Sequence, residues 1–201
     1  MALPPASPDS LQRLALACAA CRRCGLAEGR QQVVVSRGNP NARLMLIGEA
    51  PGAQEDAEGL PFVGRSGRLL DQLLAAAGLD SQGEAYVCNV VKCRPPDNRR
   101  PTAVEQAACR PWLEQQIAAV DPPLIVLLGA TALEGVLGIR GGITKRRGQW
   151  LSSPAEVLRG RLLMPVLHPS YLLRFNGQAE GSPRALTAAD FLEVRRSLMA
   201  L

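Results

Sequence analysis

Short apolar runs separated by polar or glycine-rich stretches set the pattern of this chain. Leu44 to Ile47, Tyr86 to Val91, Leu124 to Leu128 and Leu162 to Leu167 have strand length, the last broken only by Pro165. Val33 to Val35 reads as a further short strand, closed by the turn Gly38-Asn39-Pro40-Asn41. Helical spacing fills the intervals. Leu11, Leu14, Ala15 and Cys18 recur at i, i+3, i+4 and i+7 behind the start signal Ser7-Pro8-Asp9. A second helix runs from about Ser66, with Leu69, Leu70, Leu73 and Leu74 inward and Gly78 as its stop. Thr102 with Glu105 forms a capping box for a helix that runs to Val120, ended by Asp121-Pro122-Pro123. Ala130 to Leu137 is a short helix, Gly177 to Arg184 a surface loop, and Thr187 with Asp190 opens a last amphipathic helix carrying Phe191, Leu192, Val194, Arg195 and Leu198. Four apolar strands alternating with helices predict an α/β fold, layered around a four-stranded, mainly parallel sheet.

In such sheets ligands bind outside the carboxyl ends of the strands. Those ends here are Gly48-Glu49-Ala50-Pro51-Gly52, Asn89-Val90-Val91-Lys92, Gly129-Ala130-Thr131 and His168-Pro169-Ser170. Each turns polar or glycine-rich directly after an apolar run. Glu49, Asn89 and His168 are therefore expected to converge on one cleft, although each alone also fits a cap, a turn or a core role.

Composition narrows the class. A chain of 201 residues, 47% hydrophobic and 20% charged, is an ordinary globular sequence. Its length suggests one compact domain spanning residues 1–201 that can bury roughly 70% of its unfolded surface. Apolar runs such as Leu124 to Leu128 are far short of the roughly 20 residues of a membrane span. Leu14 to Cys21 is too short an apolar stretch for an export signal and no basic segment opens the chain, so the expectation is a cytoplasmic protein without a membrane partner. The net charge is +5, and of 23 basic residues only Lys92 and Lys145 are lysines. Arginine's planar fork suits phosphate, which makes nucleic acid a plausible partner; a codon-biased genome would leave the same mark.

Six cysteines in a chain without an export signal argue against a disulfide framework. Cys21 and Cys24 have metal-knuckle spacing, and Cys93 with Cys109 could supply two more thiolates. Cys18, on an apolar helix face, and Cys88, inside a strand, look like spares. Four thiolates suit zinc or an iron-sulfur cluster equally; the fifteen residues between Cys93 and Cys109 lack the compact second knuckle of a zinc ribbon. Arg22, Arg23, Lys92, Arg94, Arg99, Arg100 and Arg110 stand by to offset a cluster's negative charge. Gly64-x-x-Gly67 lacks the Lys-Ser/Thr of a P-loop, no G-x-S-x-G elbow is present, and the single histidine, His168, excludes any site that needs two.

Taken together, GEAPGAQED (48–56), LPFVGRSGRLLDQLL (60–74), NVVKCRPPDNRRP (89–101), ITKRRGQW (143–150), HPSYLLR (168–174) and the Cys21, Cys24, Cys93, Cys109 set make the chain resemble family 4 uracil-DNA glycosylases. The resemblance covers most of the chain in family order. It implies a three-layer α/β/α sandwich, a [4Fe-4S] cluster on those four cysteines, a monomer, and excision of uracil from DNA. It further implies that Phe62 stacks the flipped base in a pocket built with Gly48 and Ala50, a role that competes with that of a loop-anchoring core aromatic in a chain with only three Phe, while Asn89 reads uracil through its paired donor and acceptor. His168 would stabilise charge growing at uracil O2, and Glu49 would position water or stabilise the sugar cation. Superfamily members with a GQDPY loop carry a carboxylate one position later and a tyrosine that blocks thymine's methyl; Ala50 and Gly52 stand there, leaving Glu55 as the expected blocker. Ser170, Leu172, Leu173 and Arg174 are expected against DNA, either leucine serving as wedge and Arg174 meeting a phosphate; both leucines equally fit a helix core. A nucleic-acid-binding iron-sulfur protein without catalysis is the second class, needing the cluster but not Glu49, Asn89 and His168 together. The cross-linking branch carries a KRRIH insertion, whereas Lys145-Arg146-Arg147 is followed here by Gly148.

Overall fold

The computed structural model describes residues 8–175, 177 and 179–201. Ser7, at the predicted start of the first helix, and Gln178, within the predicted loop 177–184, lie outside the described residues. In chain order the elements are α1 (Pro8–Ala19), α2 (Leu26–Gly29), β1 (Arg37–Gly38), β2 (Leu44–Gly48), α3 (Ala53–Glu58), α4 (Arg65–Ala76), β3 (Ala85–Asn89), α5 (Ala103–Val120), β4 (Leu124–Leu128), α6 (Ala130–Leu137), α7 (Ile143–Arg146), β5 (Leu162–Val166), α8 (Pro169–Leu172) and α9 (Pro183–Ala200).

The sheet has five strands, in the order β1-β3-β2-β4-β5. The four apolar strands β2 to β5 run parallel, and β1 pairs antiparallel with β3 through Arg37↔Val87 and Gly38↔Tyr86. This corrects the expected four-stranded sheet. The extra strand is a two-residue polar edge with no apolar run to announce it. The valines predicted as a strand lie just before it as extended chain outside the sheet, with the Val34 N–H donating to Lys92 O at 2.8 Å and Val35 O accepting from Gln116 Nε2 at 3.0 Å.

Side chains alternate across the sheet, as period-two geometry requires. Met45, Ile47, Tyr86, Cys88, Ile125, Leu127 and Leu163 face one core with Leu113 and Ile117 of α5, Leu133 of α6 and Leu14 of α1. Leu44, Leu46, Val87, Val126, Leu128, Met164 and Val166 face the other, under Leu70 and Leu74 of α4 and Phe191, Val194 and Leu198 of α9. Helices therefore cover both faces, giving the three-layer α/β/α sandwich. Pro165 is tolerated because β5 ends the ladder and Pro165, two residues on from Leu163, faces away from β4; on that outer side Leu163 bridges to Leu151 and the Pro165 carbonyl accepts from the Gly148 N–H, so no donor is required of its nitrogen.

The helix predicted at 102–120 keeps its capping box: Thr102 Oγ1 accepts from the Glu105 N–H, and Glu105 accepts from the Thr102 N–H. The last helix begins four residues earlier than predicted. Ser182 caps it by accepting from the Ala185 N–H, and Pro183 fills the first turn, where its missing N–H costs nothing. Thr187 and Asp190 instead lie buried inside α9, Asp190 paired with Arg147.

Candidate active site

Because β2 sits between β3 and β4, the chain leaves it in opposite directions and opens a crevice at the carboxyl edge. A cavity of about 490 Å³ lies there, lined by Glu49, Asn89, His168, Phe62, Glu55 and Ser170 among others. The three residues expected to converge from the strand ends are thus brought together. Ala50 also lines the cavity. Gly48, the last residue of β2, has no room for a side chain: a Cβ there would stand 2.5 Å from Phe62 Cζ and meet Asn89 Oδ1.

Phe62 takes a left-handed backbone (φ 57°), which an aromatic residue adopts only when its surroundings force it. Three contacts do so. Gly67 in α4 lets the Phe62 carbonyl pass where any Cβ would overlap it. Arg37 donates from Nε to Pro61 O at 2.9 Å and from Nη2 to Asp71 Oδ1 at 2.6 Å, tying the loop to α4. Glu55 accepts from the N–H groups of Gly52 (3.1 Å), Val63 (3.0 Å) and Gly64 (2.8 Å), closing the loop into a ring. The carboxylate expected to confront a methyl group is thus committed to three backbone donors.

Asn89 ends β3 and is 1% exposed, yet its Nδ2 has no hydrogen-bond partner among the described residues. A buried donor left unpaired costs about 1–3 kcal/mol, so an acceptor arriving in the cavity recovers that cost. His168 caps α8: the Ser170 N–H donates to Nδ1 at 3.1 Å, and the Ser170 hydroxyl lies 2.7 Å from the same atom. A backbone N–H can only donate, so Nδ1 is an acceptor and the ring proton sits on Nε2. Burial pushes the imidazole pKa down to about 4, against a weaker upward pull from Glu55, so the ring is neutral at pH 7. Its centroid lies 5.9 Å from that of Phe62. Glu49, directly after β2, is half-buried; its carbonyl accepts from the Val91 N–H and its Oε2 from the Thr131 hydroxyl.

Two cavity features escaped the sequence. Asn98 joins the lining from a loop with left-handed backbone at Asp97 and Asn98, and accepts from Arg94 Nε at 2.8 Å. A proline-bounded Asp-Asn pair just past a strand end was the available signal, since these residues tolerate that conformation. Thr131 was noted at a strand end without a task; its hydroxyl serves Glu49.

Behind α8 the expected DNA contacts divide. Leu172 is fully buried and packs with Leu69 and Leu167, so it is a core residue and not a wedge; the one-turn helix aims it inward. Leu173 is half-buried, while Ser170 and Arg174 are exposed. Tyr171 and Phe175 stand exposed beside each other, ring centroids 4.8 Å apart.

Cys21, Cys24, Cys93 and Cys109 line one pocket with Cys18, Arg23, Arg30 and Lys92, whereas Cys88 is buried within β3. Three N–H groups already point at sulfur: Trp112 Nε1 to Cys21 (3.3 Å), Arg30 Nη1 to Cys93 (3.4 Å) and the Lys92 amide to Cys109 (3.3 Å). Burial pushes the Cys93 thiol up and that of Cys109 up to about 11, with Arg30 and Lys92 respectively acting against it. Four thiols sharing a pocket, with N–H groups already aimed at three of the sulfurs, make a donor set that fits a thiolate-bound metal or metal–sulfur group. The basic neighbours are fewer than expected. Arg99, Arg100 and Arg110 pair with Glu105, Glu134 and Glu114, while Arg30, unnoticed in the sequence, takes a place at the sulfurs.

No helix among the described residues is long and apolar enough to cross a membrane. A family model described as the uracil DNA glycosylase superfamily matches residues 35–195. The chain is 49% identical over 155 residues to a type-4 uracil-DNA glycosylase of Thermotoga maritima, covering 77% of this chain and 78% of the relative. It is 36% identical to the type-4 enzyme of Sulfurisphaera tokodaii over 195 residues, 93% of this chain and 84% of that one. A type-5 uracil-DNA glycosylase of Thermus thermophilus is 34% identical over 177 residues, 79% and 77% of the two chains. With a site assembled at the strand ends of this sandwich and these relatives along most of its length, the chain belongs to the uracil-DNA glycosylase superfamily and, within it, to the type-4 enzymes.

Proposed function

We propose that the protein hydrolyses the N-glycosidic bond of uracil in DNA as a monofunctional repair glycosylase, leaving an abasic site. The observation that carries this reading is the buried, unpartnered Asn89 Nδ2 in a cavity shared with Glu49, Phe62 and His168. A uracil flipped into that cavity offers O4 to Nδ2 and N3–H to Oδ1. Cytosine reverses both polarities and leaves two buried groups unpaired. Phe62 supplies the stacking face, and the absent side chain of Gly48 lets the base approach Asn89.

As the bond breaks, negative charge gathers on uracil O2. The neutral His168 ring, with its proton on Nε2, donates to that oxygen without bringing a charge that would have to be stripped of water in the cavity. Glu49 holds the attacking water or faces the cationic sugar with its carboxylate. Glu55 acts at one remove, stapling the loop whose wall a 5-methyl group would press against. With Leu172 in the core, Leu173 and the exposed Tyr171 remain to fill the gap left in the base stack, and Ser170 and Arg174 meet phosphate.

Cys21, Cys24, Cys93 and Cys109 would hold a [4Fe-4S] cluster, and the three N–H···S donors suit its delocalised negative charge. When bound it supplies a covalent tie between the segment before α2 and the segments carrying Cys93 and Cys109. The chain's own residues perform the excision steps above.

Incubation with a uracil-containing oligonucleotide followed by alkaline cleavage tests the reading, with strand scission expected at uracil and none at cytosine. Asn89→Asp should relax or invert that choice. Intact uracil strands with the wild-type protein would overturn the assignment.

A further inference from the structure

We propose that Thr131 is a positioning residue for the reaction: its hydroxyl, buried beneath the cavity floor, holds the Glu49 carboxylate in the one orientation that serves the attacking water. The inference rests on the reading of Glu49 given above and extends it to a residue that touches neither DNA nor base.

Glu49 is placed by the two strands that flank its own. On the β3 side its carbonyl accepts from the Val91 N–H at 3.2 Å, which fixes the backbone. On the β4 side its Oε2 accepts from the Thr131 hydroxyl. Thr131 is 3% exposed and stands in the first turn of α6, which starts at once after Gly129. Gly129 has φ +91°, and a Cβ there would lie 2.8 Å from His168 Cβ. The turn that delivers Thr131 to Glu49 is therefore the same one that leaves room for His168.

The chemistry gives this bond a purpose. A glutamate has three rotatable side-chain bonds and, half-exposed at a cavity wall, would otherwise sample several rotamers. The hydroxyl occupies one oxygen, and among the described residues no hydrogen bond reaches Oε1, which stays available to water. A hydroxyl is the appropriate donor. It orients the carboxylate without contributing a full charge, as an arginine would, and so leaves the basicity needed to polarise water.

Four variants in single-turnover excision from a uracil-containing single strand test the idea: Thr131→Val, Thr131→Ser, Glu49→Gln and the Thr131→Val, Glu49→Gln double. Thr131→Val keeps the shape and removes the donor; it should slow excision about 10- to 100-fold, the scale of a misplaced reacting group, with the dissociation constant for uncleavable DNA unchanged. Thr131→Ser restores the donor and should recover most of the rate. On the Glu49→Gln background the valine should add little, because the group it positions has already been altered. Melting temperatures accompany each variant, and Thr131→Ala replaces valine should the latter fail to fold. If Glu49→Gln is slow while Thr131→Val is as fast as wild type, or if serine is as slow as valine, the positioning role is wrong and Glu49 keeps its own. If Glu49→Gln is as fast as wild type, the reading of Glu49 fails and the role of Thr131 falls with it.

Discussion

The protein contains one histidine, so acid titration can isolate the residue to which leaving-group stabilisation is assigned in the proposed reaction. The perturbation is pH. Burial holds the His168 imidazole near 4 in the folded state, against an ordinary value of 6.5. Between those values the unfolded chain takes up a proton that the folded chain does not, so stability rises with pH across the window. The contribution is fully present above pH 6.5 and is lost as pH falls towards 4. At about 1.36 kcal/mol per pH unit, the interval amounts to at most about 3 kcal/mol. The local geometry gives the same sign, because protonation at Nδ1 would turn an acceptor of the Ser170 N–H into a competing donor. Urea unfolding of the wild type and of His168→Gln at several pH values between 8 and 4.5, expressed as a difference, removes every other titrating group to first order. The wild type should lose its advantage steadily below pH 6.5, while the single imidazole NMR signal stays at its neutral shift to pH 5. A difference that is flat with pH, or an imidazole titrating at 6.5 or above, would refute both the burial argument and the neutral donor.

Gly48→Ala should abolish uracil excision, by about 100-fold or more, while the sheet still folds, because its new methyl meets Phe62 and Asn89 on the cavity side; an active alanine variant would show that base and Asn89 do not meet as described. Cys93→Ser should lose iron and visible absorbance on anaerobic purification, whereas Cys88→Ser, altering a thiol inside β3, should keep both. Leu172→Ala should cost about 2–5 kcal/mol in chemical unfolding and affect single- and double-stranded substrates alike. Tyr171→Ala should leave the melting temperature in place and slow excision from duplex more than from single strands; equal slowing would place the wedge elsewhere.

The legible part of the site was the part written at strand ends. Glu49, Asn89 and His168 each follow an apolar run, and parallel strands necessarily present such residues along one edge. Less legible were the contacts that hold these residues in place. The sequence offers Glu55 as a free acid in a loop, but closure of that loop brings three backbone N–H groups to it. Leu172 and Leu173 look alike on paper, and only the docking of α8 against α4 decides which one the core takes.

By itself the sequence determined the layered α/β architecture, the four apolar strands and the capping box at Thr102, because each depends on local periodicity or spacing. The short strand β1 and the early start of α9 belong to the tertiary structure: the first is a pairing with β3, the second a choice between two capping signals that burial of Thr187 and Asp190 settles. The strained backbone of Phe62 is also a product of packing, since Gly67, Arg37 and Glu55 reach it from three separate segments. So is the bond from Thr131 to Glu49, which spans 82 positions of sequence and exists because β2 and β4 lie side by side. Local signals decide which elements form; side-chain roles within a cavity depend on partners distant in the chain, and only the assembled sheet brings those partners within hydrogen-bond reach.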